Sequence, residues 1–139
     1  MRYLIAVLAL AGVVVSALAL HVHYTNEAQA CSINEKWDCG VVNHSPFAEI
    51  EHIPVAAVGI VGYLAMAGLA FTRQRYLLLL FAVIGMGFAL RLSFIEELVL
   101  QVWCVYCVIS QGLIALILLL GFGWFTKEYL DLKKASRAV

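Results

Sequence analysis

Charge is scarce in this sequence. Only 13% of its 139 residues are Asp, Glu, Lys or Arg, where a soluble domain carries about 25%. With 64% of the residues apolar, against about 45–50% in soluble domains, the composition excludes an ordinary water-soluble fold and places the chain in lipid. No basic excess is present either: nine bases and nine acids cancel, so nothing resembles a nucleic-acid footprint, and no nucleic-acid partner is expected. Length is also limited. At roughly 20 apolar residues per span, the chain holds four spans with short connections and no second soluble domain, so residues 1–139 read as one membrane domain.

Four apolar stretches are present, at about 3–24, 54–72, 76–100 and 103–125. They predict an all-α membrane protein, a bundle of four transmembrane helices with a long first loop from about Thr25 to Ile53. Pro54 suits the first turn of the second helix, where a missing N–H costs nothing. The third and fourth stretches nearly touch, which predicts a tight turn around Gln101. Glycines inside the spans (Gly59, Gly62, Gly68, Gly85, Gly87, Gly112) allow close helix contact, and Gly59 with Gly62 reads as packing rather than as a dimer motif.

The few charges carry the topology. Seven of nine bases lie at Arg2, at Arg73 and Arg75, and at Lys127, Lys133, Lys134 and Arg137. Excess Lys and Arg beside span ends marks the cytoplasmic side, so both termini and the second connection are expected there. Seven of nine acids (Glu27, Glu35, Asp38, Glu49, Glu51, Glu96, Glu97) fall on the other side. A multi-pass protein of the cell (inner) membrane is expected, its first loop extracytoplasmic. A rival reading takes Met1-Arg2, the first apolar run and Ala28-Gln29-Ala30 as a cleaved secretory signal. The run is longer than a signal core, a polar stretch from His21 to Gln29 separates it from the cut, and cleavage leaves an odd number of spans.

Cysteine is also sparse: Cys31 and Cys39 in the first loop, Cys104 and Cys107 at the start of the fourth stretch. The topology puts all four on the oxidising side, where disulfides persist. Cys104 and Cys107 form a C-x-x-C on one helix face, at a helix N-terminus whose free N–H groups and dipole favour a thiolate, the species that attacks disulfides. Cys31 and Cys39 enclose seven residues, close enough to pair. Asp38 disfavours a thiolate at Cys39 and Lys36 opposes that effect. Other readings compete with redox chemistry. Four cysteines allow three purely structural pairings. Four thiolates also suit zinc, although C-x7-C is wide for a half-site. A c-type haem is excluded, because Val108 rather than His follows the C-x-x-C.

The ordered set C-S-I-N-E-K-W-D-C-G, then Val41, Val42, Asn43, His44 and Ser45, then I-P-V-A-A-V-G-I-V-G-Y, then W-C-V-Y-C resembles the vitamin K epoxide reductase family in its stand-alone bacterial form, over nearly the whole chain. The B-type bacterial disulfide-bond oxidases also use four helices and two pairs, but there the C-x-x-C comes first. The resemblance implies a quinone-dependent thiol–disulfide oxidoreductase. Cys31 would exchange with a separate thioredoxin-fold partner, Cys39 would pass electrons to Cys104, and Cys107 would reduce a quinone of the ubiquinone or menaquinone type among the helices, with no metal. Ser45, six positions after Cys39, would position the loop or the quinone head group. Animal members carry Tyr where this chain has Gln111, and their second-helix Asn falls near Val55. These departures point to an ordinary quinone rather than an epoxide, with Gln111 at the head group.

Among the remaining polar residues, Glu96 and Glu97 sit beside the C-x-x-C, where an acid is either a quinone or proton-relay group or an exposed helix end. Arg91 is expected to snorkel to the outer interface. His21, His23, His44 and His52 read as interfacial rather than as haem or metal ligands. Trp103, Trp124, Tyr3, Tyr24 and Tyr129 read as interfacial anchors, Trp103 also as a shield for the thiols and a quinone contact.

Overall fold

Helix α1 (Arg2–Tyr24) carries a stripe of buried residues at alternating spacings of four and three: Ile5, Ala9, Gly12, Ser16 and Ala19. Four of the five are small. In lipid, where apolar burial gives helices no net drive to associate, small residues let backbones approach and gain dispersion contact instead. The opposite face (Leu4, Val7, Leu10, Val14, Leu18) is apolar and exposed, as a surface facing lipid tails requires. In this computed structural model, which describes residues 1–25 and 31–139, the stripe docks α1 against α3 (Val55–Phe71) and α5 (Val105–Arg137). Glu27 and the Ala28-Gln29-Ala30 motif lie outside the described residues.

Contact is tight at Gly12, where an added Cβ would stand 2.5 Å from ring atoms of Tyr63 on α3. Gly59 faces the Ser16 hydroxyl in the same way, at 2.9 Å. Gly62, Gly68, Gly87 and Gly112 face open space, so the expectation of close packing at span glycines holds at Gly59 and Gly85 but not at these four. Helix α4 (Arg75–Ile95) packs on α5, and the shared core joins Ile5, Ala9, Tyr63, Met66, Leu78, Ala82, Ile114 and Ile117. Arg75 pairs with Glu128 across the far end.

Among the described residues, three helical segments, Arg2–Tyr24, Arg75–Leu100 and Val105–Arg137, are long and apolar enough to cross a membrane; α3, at 17 residues, is apolar but shorter. Pro54 is the N-cap of α3 rather than part of its first turn, because Ile53–Pro54 (β2) already pairs antiparallel with Glu49–Ile50 (β1). The two-residue turn between them, Glu51-His52, has positive φ at both positions (49° and 68°), as the twist of a tight hairpin demands. Helix α5 continues past Phe125 to Arg137, so the basic tail is an extension of the last apolar helix.

Two irregularities shape the end where the cysteines lie. A π-helical turn, Glu96–Leu100, extends α4, and Gln101 then adopts a left-handed conformation (φ 54°), reversing the chain where the short polar gap predicts a turn. The first loop folds back as a short helix α2 (Cys39–Asn43), a 3-10 turn (Pro46–Ala48) and the β1–β2 hairpin.

Candidate functional site

The loop is fixed to the start of α5 by backbone. Trp103 N–H donates to Lys36 O at 2.7 Å and Asp38 N–H donates to Trp103 O at 3.0 Å, a two-bond bridge. Asp38 is the N-cap of α2, its Oδ1 accepting from the N–H groups of Gly40 (2.8 Å) and Val41 (3.4 Å) and from the Ser32 hydroxyl (3.0 Å). Its carboxylate is occupied in starting a helix, a role that an Asp directly before a short turn of helix suits. With both ends fixed, Cys39 at the first position of α2 faces Cys104 at the N-cap of α5.

Cys31 and Cys39 are disulfide-bonded, their Cα atoms 5.6 Å apart. Cys104 Sγ lies 3.1 Å from Cys39 Sγ, and Cys104 and Cys107 are both free. Exchange requires a thiolate to approach one sulfur of a disulfide, and reacting atoms about 3–3.5 Å apart are positioned for it. Cys31 is 3% exposed and Cys39 and Cys104 fully buried, so the exchange centre is shut from water.

Two residues missed at the sequence level hold this centre. Asn43, 6% exposed, donates from Nδ2 to Cys39 O at 2.8 Å and to Cys104 Sγ at 3.5 Å. His23, at the end of α1, places Nδ1 2.5 Å from Asn43 O and Nε2 3.1 Å from Glu49 Oε1. The sequence signal for Asn43 was its place four residues after Cys39, one helical turn on; nothing in sequence links His23 to the loop.

Below the sulfurs, a cavity of about 300 Å³ opens among the helices. Cys107, Ser45, Glu96, Asn43, Tyr63 and Ser110 are among its polar groups, with Ser16, His23 and Tyr106, and its other walls are largely aliphatic and aromatic. The Tyr63 hydroxyl donates to Ser110 O at 2.8 Å. Glu96, 1% exposed, accepts from the Cys104 N–H through Oε2 at 3.2 Å. Ser45 keeps its hydroxyl on Val42 O at 2.7 Å. Trp103 and Gln111 lie outside this cavity. The Trp103 indole N–H donates to Glu97 Oε2 at 3.1 Å and its ring packs on Trp37, while Gln111 Oε1 accepts from Ser93 at 2.6 Å and ties α5 to α4.

A chain of this kind, with an apolar helical frame, a loop disulfide and a free C-x-x-C in contact with it, matches a known family along most of its length. The model of the vitamin K epoxide reductase family matches residues 3–122, and the chain belongs to this family of membrane oxidoreductases.

Proposed function

We propose that this protein is a four-span membrane thiol oxidoreductase that passes electrons from a thioredoxin-fold partner to a membrane quinone of the ubiquinone or menaquinone type. The observation that carries the reading is the 3.1 Å approach of Cys104 Sγ to Cys39 Sγ, with Cys107 three positions on at the edge of the apolar cavity. A partner thiolate attacks the Cys31–Cys39 bond at Cys31, and a second partner thiol closes the partner's own disulfide. The Cys39 thiolate then attacks Cys104 of a closed Cys104–Cys107 disulfide, freeing Cys107. Attack of Cys31 on Cys39 restores the loop disulfide and frees Cys104. The arrangement of one closed loop pair and two free C-x-x-C thiols corresponds to this point in the cycle. Oxidation of Cys104 and Cys107 by quinone, which takes up two electrons and two protons, completes it.

The cavity suits a ring with an isoprenoid tail: apolar walls, few polar groups and a position directly under the sulfurs. Ser45 and Glu96 are the head-group contacts in this reading, while Trp103 acts by fixing the loop and Gln111 by fixing α5. The charge distribution supports cytoplasmic termini and an extracytoplasmic cysteine end. Because Cys31 is buried, partner exchange requires the loop to lift. The test is quinone-dependent oxidation of a reduced thioredoxin-fold protein: Cys107→Ala should abolish it, and undiminished turnover would refute the scheme.

One observation favours a second reading. The sulfurs of Cys31, Cys39 and Cys104 lie within 4.8 Å of one another, a spacing three thiolates need to hold a soft metal ion once the loop disulfide is reduced. Stoichiometric zinc in purified, reduced protein would favour that reading over the relay.

A further inference from the structure

Glu96 is an unusual group to find where it is. The side chain is 1% exposed in an apolar cavity, and burial of a carboxyl without full hydrogen bonding is costly. Only Oε2 has a partner, the Cys104 N–H at 3.2 Å; among the described residues Oε1 has none. Cys107 lines the cavity together with Glu96, three positions after the Cys104 whose N–H the carboxyl holds. A purely structural cap would be served by one oxygen. The second is left free at the boundary between thiol and cavity.

The π-helical turn explains how the carboxyl reaches this spot. Glu96 opens that turn, and Glu97, next in sequence, is exposed and bonded to the Trp103 indole. Adjacent positions on this turn point to different places, so one acid enters the cavity and the other reaches the surface. Such turns inserted at helix ends are frequent at functional sites.

We propose that Glu96 is the proton carrier between the Cys104–Cys107 dithiol and the quinone. The assignment rests on the quinone-linked reading above and deepens it. In the oxidation step two S–H bonds break, one S–S bond forms, and the quinone gains two electrons and two protons to become the quinol. Glu96 Oε1 takes the Cys107 proton and releases it to a head-group oxygen. Cys104, three positions before Cys107 at the start of α5, supplies the second proton along the same path. The carboxyl ends as it began, and Oε2 stays on the Cys104 N–H throughout, so the carrier remains aligned with the sulfurs. The other titratable groups lining this space are Tyr63 of α3, His23 of α1 and Tyr106 of α5, and none of them holds the Cys104 N–H as Glu96 does.

The test separates two steps in the full-length protein. Quinone reduction is followed with a short-chain ubiquinone and dithiothreitol as electron donor. Sulfur exchange is followed as Cys39–Cys104 bond formation in a Cys31→Ala background. Glu96→Gln keeps an oxygen for the Cys104 N–H but cannot carry a proton; it should slow quinone reduction about 100-fold or more and leave exchange within about 3-fold. Glu96→Asp, which retains the carboxyl, should recover at least about 10-fold of that loss. Quinone reduction by Glu96→Gln within about 3-fold of wild type would overturn the assignment. Equal slowing of both steps by both variants, with lowered thermal stability, would overturn it in favour of a structural cap. Wild-type protein inert toward the quinone would overturn the parent reading together with this one, before any variant is made.

Discussion

Cys104 Sγ stands 3.1 Å from Cys39 Sγ although 65 positions separate the two residues in the chain. Neither sulfur reaches the other through its own element. The contact is made by the backbone bridge of Trp103 to Lys36 and Asp38, which brings the first residue of α2 over the N-cap of α5. Removing Cys31 leaves Cys39 as a free thiol facing Cys104. In oxidised Cys31→Ala protein, a Cys39–Cys104 disulfide should therefore form nearly completely, since two groups held at contact react with effective molarities far above any external thiol. Peptide mass spectrometry after alkylation measures it; a Cys104–Cys107 bond with free Cys39 would show that the contact is not used.

Asn43 spans the two elements at this contact, donating to Cys39 O and to Cys104 Sγ. Its Nδ2 ties the Cys104 sulfur to the α2 backbone at Cys39, so it holds the attacked sulfur against the Cys39 thiolate. With a net value near 0.5–1.5 kcal/mol per hydrogen bond, Asn43→Ala should slow Cys39–Cys104 exchange about 3–10-fold. The rate of bond formation in the Cys31→Ala background is the measurement. An unchanged rate would assign Asn43 to holding α2 alone.

These two residues also mark how far the sequence could be read. The helices, the reversal at Gln101 and the location of all four cysteines at one end follow from hydropathy and basic-residue placement, because lipid imposes long apolar runs that are visible locally. The C-x-x-C at a helix start was legible as well, whereas its two free thiols were not. Asp38 was not: as a charge beside Cys39 it suggested electrostatics, whereas its oxygen caps α2. Trp103 and Gln111 look like quinone contacts by position, yet their polar atoms are turned to Glu97 and Ser93. Side-chain direction near a π-helical turn depends on one extra residue per turn, and nothing in local composition announces it.

The α1–α3 contact makes a separate prediction about stability. A Cβ at Gly12 would fall 2.5–2.6 Å from three atoms of the Tyr63 ring. That ring is held by its hydroxyl, which donates to Ser110 O and accepts from Ser110 Oγ, both at 2.8 Å, so it cannot yield without losing these bonds. Gly12→Ala should cost about 1–3 kcal/mol, the usual range for overpacking. Gly62→Ala, which adds its methyl to open space, should be neutral or slightly stabilising, since Ala exceeds Gly in helix propensity. Thermal denaturation in detergent compares them, and equal midpoints would mean that α1 and α3 separate easily here.

His23 sets the last prediction. Its Nδ1 faces Asn43 O at 2.5 Å, and a carbonyl oxygen only accepts, so that nitrogen carries a proton. Its Nε2 faces Glu49 Oε1 at 3.1 Å, and the ring stacks on His44 at 6.3 Å. One side chain at the end of α1 therefore holds both α2, which carries Cys39, and the hairpin. Because the Cys31–Cys39 bond is buried and the loop must loosen for a reductant to reach it, His23→Ala should make the bond easier to reach. Reduction by a water-soluble phosphine should quicken about 3–10-fold, the effect of losing one or two modest hydrogen bonds. Glu49→Gln should act in the same direction but more weakly, since its side chain is 40% exposed and a solvent-exposed contact of this kind contributes under about 1 kcal/mol. Amide exchange over residues 49–54 should rise in parallel. If His23→Ala leaves both rates unchanged, the bridge from Trp103 to Lys36 and Asp38 alone keeps the loop closed.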